Sequence, residues 1–207
     1  MARMLTLGVL VSGTGSNLQA ILDAVAERRL DARVAVVVSN VAGAGGLERA
    51  HAAGVEAVVV DHKAYADRRA FDAALVEVLR AREVEVVVLA GFMRLVTDVL
   101  LGAFPMRVVN VHPSLLPAFP GVHSQQQAFD YGVKVAGCTV HFVDEHLDHG
   151  AIILQRTVSV LDSDDARSLA ERILAEEHIA YSEAIARVVG GEYEIRSRRY
   201  VPRNSRT

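Results

Sequence analysis

The stretch MLTLGVLVSGTGSNLQAILDAVAERR, residues 4–29, decides the fold. Its first part is a short apolar run ending at Val11, a glycine-rich turn follows, and from Ser16 onward the apolar residues Leu18, Ile21, Leu22 and Val25 recur at the spacing of one helix face. Strand, tight turn and helix in that order form the opening of a βαβ unit. Working outward, the same grammar repeats. RVAVVVSN (33–40), VEAVVVD (55–61), VEVVVLAG (84–91) and MRVVNVHP (106–113) read as further strands. GGLERAHAAG (45–54), stopped by Gly54, and YADRRAFDAALVEVLRARE (65–83), capped by Asp67, read as helices between them. The strands are continuous Val-rich runs, as expected of strands buried on both faces of a parallel sheet. The expectation is an α/β fold with a doubly wound, mostly parallel sheet.

After Pro120 the pattern changes. A helix around SQQQAFDYG (124–132) leads to two strands, AGCTVHFVDE (136–145) and GAIILQRTVSVL (150–161), separated by a short loop. That brevity predicts an antiparallel excursion, because a parallel return needs a long crossover. A long final helix is expected over about 165–189, with Ser163 or Asp164 as its cap. No repeat, linker or charge block divides the chain, so a single domain is expected over 1–207, with a core over about 5–190 and a tail over 191–207.

Length, composition and charge set the bounds. The chain has 207 residues, 51% hydrophobic, yet no apolar run approaches the ~20 residues of a membrane span. A net charge of −3 gives no general reason to expect nucleic acid as a partner, and the single cysteine, Cys138, excludes an internal disulfide and fits a reducing, cytoplasmic compartment. Cys138 sits in a Val-rich strand without a neighbouring cation, so it reads as a buried small hydrophobe and not as a nucleophile. The basic stretch IRSRRYVPRNSRT (195–207) reads as a solvated tail or edge strand.

Ligands of open α/β sheets bind beyond the carboxyl ends of the strands, and four features fall there. The turn VSGTGSNL (11–18) joins strand one to helix one. Its glycines allow close backbone approach, the helix start supplies N–H groups, and Ser16 and Asn17 add donors, which makes an anion cradle. Leu18 stands where a dinucleotide fingerprint needs glycine, and Ser39 and Asn40 stand where it wants an acid, so a phosphomonoester is expected.

VVNVHPSLLP (108–117) is the second feature. Asn110 and His112 are two apart on a strand and project to one face, while Pro113 and Pro117 stiffen the loop beyond them. An amide beside an imidazolium can hold a developing oxyanion. The third is HFVDEHLDHG (141–150), where Asp148 precedes a histidine–glycine bend; a carboxylate delivered beside His112 would favour its charged form. His146 and His149 lie three apart, but no third ligand has convincing spacing, so no metal is expected. The fourth is Glu177, which falls within or beside the helical face formed by Leu169, Ile173, Ala180 and Ala184, whereas His178 is expected to point away.

Taken together, SGTGSNLQAIL, LAGFMRLV, NVHPSLLPAFPG and GCTVHFVDEHLDHGAIILQ resemble the phosphoribosylglycinamide formyltransferase family over about residues 5 to 190. The resemblance implies a Rossmann-like formyltransferase fold. It implies transfer of the formyl group of 10-formyltetrahydrofolate, as co-substrate, to the amine of glycinamide ribonucleotide. It assigns Asn110, His112 and Asp148 to catalysis and Gly15, Ser16 and Asn17 to the substrate phosphate. Glu177 falls to the substrate's amine side. The folate pocket is implied at Arg68, Met93, Arg94, Leu95 and Val96, with Asn110 and the loop Asp144, Glu145, His146, Leu147 and Asp148. Small molecules are the implied partners, with no nucleic acid, no membrane and no metal, and the chain is expected as a monomer or homodimer. Thr14, Ala118, Gln126, Gln127 and the His149-Gly150-Ala151 turn depart from the family's usual residues.

Two rival readings share parts of this pattern. A 10-formyltetrahydrofolate hydrolase would use the same trio with water as acceptor, but would add an N-terminal regulatory domain and tends to lack the glycine loop. A non-catalytic nucleotide-binding module would explain the loop but not the trio.

Overall fold

The computed structural model describes residues 4–203. It divides after Asn110 into two compact units. The first contains β1 (Leu5–Val11), α1 (Ser16–Ala26), β2 (Ala32–Ser39), α2 (Gly45–Ala52), β3 (Glu56–Val59), α3 (Arg68–Arg80), β4 (Val86–Leu89) and α4 (Asp98–Ala103). β5 (Val108–His112) begins in this unit and crosses the boundary. The strand order here is β3-β2-β1-β4-β5, every pair parallel.

That order has a physical consequence. From β1 the chain winds outward through β2 to β3, then returns to the other side of β1 with β4 and β5. The carboxyl ends of β1 and β4 therefore flank the point where the winding reverses, the place where such sheets open a crevice. Leu7, Val9, Leu10 and Val11 of β1 and Val86, Val87 and Val88 of β4 are fully buried, as strands covered on both faces must be.

The second unit holds α5 (Ser124–Tyr131), β6 (Val135–Phe142), β7 (Ile152–Ser159), α6 (Ala166–Gly190), β8 (Tyr193–Arg196) and β9 (Arg199–Pro202). β6 and β7 are antiparallel, with Cys138 opposite Arg156, as the short connection requires. α6 packs on both strands. β6 is buried almost throughout, whereas β7 alternates and keeps one face toward water.

Several details differ from the sequence reading. The cap of α6 is Asp165, not Ser163 or Asp164: its carboxylate accepts from Ser168 N (2.7 Å), while Ser168 Oγ accepts from Asp165 N (3.0 Å). Asp164 turns the chain one step earlier by accepting from Leu161 N at 2.7 Å. α4 and a 3₁₀ turn at His62–Ala64 carry too few apolar repeats to be read from pattern. Much of the expected tail is a hairpin, β8 with β9, joined in parallel to β7 at Ile152 and Arg199. Its aromatic residues explain it, since Tyr193 stacks on Phe142 at 5.7 Å and on Tyr200 at 5.0 Å. The last four residues of that tail, and the first three of the chain, lie outside the described residues. No helix among the described residues is long and apolar enough to cross a membrane.

Candidate active site

In the first unit the glycine turn sits at the winding reversal. Gly15 caps α1 in the left-handed conformation (φ 75°), and a Cβ there would lie 2.6 Å from the Cα of Gly46, so both the dihedral and the close approach require glycine. No side chain caps α1. A helix start left uncapped presents backbone N–H groups and a partial positive charge to an incoming anion.

The turn is fixed from three sides. Gly46 N donates to Gly13 O at 3.1 Å. Arg49 Nε donates to Thr14 O at 2.8 Å while its Nη1 reaches Gln19 Oε1 at 3.2 Å. Ser12 Oγ donates to Asn40 Oδ1 at 2.6 Å and accepts from Met93 N at 2.8 Å, and Ser12 N donates to Gly91 O at 3.1 Å. The cradle is thus tied to the end of β2 and to the segment after β4. Ser12, Asn40 and Arg49 carry these ties. The sequence reading missed that role, because long-range hydrogen bonds leave no periodic signal.

Met93 and Leu95 in the segment after β4 are exposed at 74% and 54%, large apolar side chains held open. The segment is anchored beyond them by Asp72 of α3, whose carboxylate accepts from Thr97 N at 2.5 Å and from Thr97 Oγ1 at 2.7 Å. Burial raises the Asp72 carboxyl above its ordinary range, against the pull of those two bonds and of the positive charges of Arg68 and Arg94. Arg68 and Arg94, both named from sequence, therefore act on one buried carboxylate, the same Asp72 that anchors the segment at Thr97.

In the second unit His112 is buried at the end of β5, and Asp148 meets it. His112 Nδ1 lies 3.4 Å from Asp148 Oδ2, with the two side chains 5% and 8% exposed. On the other side of the ring, Nε2 lies 2.9 Å from the carbonyl of Phe119. Both ring nitrogens thus face oxygen atoms, the Asp148 carboxylate on one side and the Phe119 carbonyl on the other. Asn110 stands two residues earlier on the same strand and is half-buried.

The loop after His112 is held by more than its prolines. Thr139 Oγ1 of β6 donates to Ser114 O at 2.7 Å and accepts from Leu116 N at 3.0 Å. Gln155 Nε2 of β7 reaches both Thr139 Oγ1 (2.9 Å) and Leu116 O (3.0 Å). Ser114 Oγ donates to Ala118 O at 2.6 Å. The Phe119 carbonyl that meets His112 is the end of this lattice.

Asp148 is delivered by the β6–β7 connection. Phe142 N donates to Ala151 O at 2.9 Å, and at Gly150 a Cβ would meet Phe142 O at 1.9 Å, so glycine alone closes the neck. Asp148 adopts φ 50° and its Oδ2 accepts from Gly121 N at 2.7 Å. Its Oδ1 lies 3.9 Å from Nε2 of His141, a residue with no assigned role in the sequence reading. His141 is 2% exposed with Nδ1 2.8 Å from Phe142 O, and burial lowers its pKa from the ordinary 6.5. Asp148 thus stands between two buried imidazoles. The signal for the second, a histidine inside an otherwise apolar strand, was present but ambiguous.

Glu145, His146 and Leu147 are exposed in the middle of that connection, and Asp144 is half-buried at its base. On α6, Glu177 is 5% exposed, as its place in the apolar stripe predicted, while His178 is half-buried and does not point away as expected. Arg156 pairs with Glu176 at 2.5 Å and with Glu183 at 3.4 Å. Burial, and then the negative charge of Glu177, push the Cys138 thiol up to about 12, which removes it as a nucleophile.

Comparison with known proteins adds a second line of argument. Residues 6–185 match the model of the formyl transferase family. The chain is 48% identical over 185 residues to the trifunctional purine biosynthetic protein adenosine-3 of Drosophila melanogaster, covering 88% of this chain but only 14% of that protein's length. It is 43% identical over 182 residues to the phosphoribosylglycinamide formyltransferase of Bacillus subtilis, covering 88% of this chain and 93% of the relative. The crystal structure of glycinamide ribonucleotide transformylase 1 from Symbiobacterium toebii superposes with a TM-score of 0.94 at 56% identity, over 96% of this chain and 94% of that one.

Proposed function

The chain belongs to the formyl transferase family, and we propose that it transfers the formyl group of 10-formyltetrahydrofolate to the amine of glycinamide ribonucleotide. The products are formylglycinamide ribonucleotide and tetrahydrofolate. The observation that carries this reading is the buried His112–Asp148 pair at 3.4 Å, set on the strand that also bears Asn110. Relatives matched over most of their length bear the name of that activity, which supports it. A family match running from residue 6 to 185 supports treating both units as one formyltransferase domain.

The chemistry asked of these residues is modest. The substrate amine attacks the formyl carbon, and the carbonyl π pair moves onto oxygen. Asn110 donates to that oxyanion, and so does His112 once its Nε2–H turns from the Phe119 carbonyl, a role in which loss of one donor costs about 10²–10³-fold in rate. Collapse of the intermediate re-forms the carbonyl and breaks the bond to the folate nitrogen. The amine gives up a proton and the leaving nitrogen gains one, with Asp148, 3.4 Å from His112, as the carboxylate that relays the proton, through water where needed. No covalent intermediate is required.

Binding is assigned to the remaining residues. Gly15, Ser16 and Asn17 hold the ribonucleotide phosphate at the start of α1, and Glu177 attracts the glycinamide amine. Arg68, Met93, Arg94, Leu95 and Val96, with Asn110 and residues 144–148, take the folate. The test is an assay of the purified chain with both substrates. Formylated ribonucleotide should accumulate in proportion to enzyme, and no product above the uncatalysed rate would refute the assignment.

A further inference from the structure

The turn that delivers Asp148, whose residues 144–148 are proposed above to meet the folate, carries side chains that take no part in the bond-making steps. Asp144, His146 and His149 each offer one ligand atom, and the three atoms lie within 4.8 Å of one another. Sequence spacing supplied only the two histidines; the fold brings in the third ligand by turning the chain back on Asp144. We propose that Asp144, His146 and His149 form a binding site for a divalent transition metal of the zinc, cobalt or nickel class.

The geometry is partly organised already. Asp144 Oδ1 accepts from His146 N at 2.9 Å and Oδ2 lies 2.8 Å from His149 Nδ1, so the carboxylate is aimed by the turn itself. The two rings have centroids 5.0 Å apart and are tilted by 50° to one another. Their side chains are 75% and 41% exposed, which leaves them free to adjust by rotation and leaves coordination positions open to water. On metal binding, His149 moves its ring proton from Nδ1 to Nε2 and presents the Nδ1 lone pair, a rearrangement that needs no other reactant. Two imidazoles and one carboxylate suit zinc, cobalt or nickel, whereas magnesium and calcium prefer oxygen donors throughout.

A metal here would staple a loop whose neck is already closed at Phe142 and Ala151 (2.9 Å) and whose middle is exposed. Asp148 lies inside that staple. The test uses the full chain without an affinity tag, treated with chelator and titrated with Zn²⁺ by calorimetry and with Co²⁺ by visible absorption. One equivalent should bind saturably, with a cobalt ligand-field band, and Mg²⁺ at the same concentration should give no heat. His146→Ala and Asp144→Asn should each weaken binding by about tenfold or more. His146 is exposed, so its variant should melt like wild type in the absence of metal, which separates ligand loss from misfolding. Absence of saturable Zn²⁺ binding, or binding unchanged in both variants, would overturn the site.

Discussion

At the scale of single residues, the proposed chemistry rests on two positions at the end of β5. Asn110→Ala and His112→Ala should each lower kcat by about 10²-fold or more, with the ribonucleotide still binding, because each removes one oxyanion donor. Steady-state kinetics decide it: near-wild-type turnover in either variant would remove the proposed oxyanion site. Ser16→Asp places a negative charge at the uncapped start of α1. It should raise KM for the ribonucleotide far more than KM for folate; equal effects would make the loop structural. His141 gives a prediction for pH. Its buried ring is held neutral with a pKa below the ordinary 6.5, so as pH falls through that value the unfolded chain takes up a proton that the folded chain refuses. Stability is therefore present above about 6.5 and lost on acidification down to the folded value. Thermal melts of His141→Asn should show a flatter decline between neutral and mildly acidic pH than wild type. The same slope in both proteins would show that another group governs it. Asn110 and His112 stood out in the sequence because polar side chains at the end of an apolar strand are conspicuous, and Asp148 because it precedes a histidine–glycine bend. His141 was not, because a lone histidine within such a strand is more often structural than functional.

At the scale of elements, the strand–helix alternation and the antiparallel β6–β7 pair followed directly from period and loop length. The devices that make them functional did not. Thr139 holds the loop after His112 with one donated and two accepted hydrogen bonds, yet in the sequence it is one threonine in a strand. Thr139→Val keeps the shape and removes those bonds. It should cost about 1–3 kcal/mol of stability, since buried backbone groups lose their partners, and should lower kcat without changing KM for the ribonucleotide. Urea unfolding and kinetics on the same sample test both parts, and a variant with wild-type kcat would show that the prolines alone set the loop. The cap of α6 fell one residue beyond the expected pair because Asp164 and Asp165 are both competent. Only the backbone geometry reserves Asp165 for Ser168 and Asp164 for Leu161. The C-terminal hairpin was obscured in the same way: its basic residues dominate the composition, and its stacked Tyr193 and Tyr200 do not.

At the scale of the whole molecule, the winding order places the glycine turn and the segment after β4 together at the reversal beside β1. Sequence pattern predicted a parallel sheet but could not say which strands are neighbours, and neighbour order is what brings Ser12, Asn40 and Met93 into one network. The central claim is that this chain moves a formyl group to an amine and not to water. The most direct measurement follows both fates of labelled 10-formyltetrahydrofolate in one reaction, with and without glycinamide ribonucleotide. Label should pass to the ribonucleotide, tetrahydrofolate should appear in equal amount, and formate should stay at background in both conditions. Formate released at a comparable rate whether or not the ribonucleotide is present would contradict the account and identify a hydrolase.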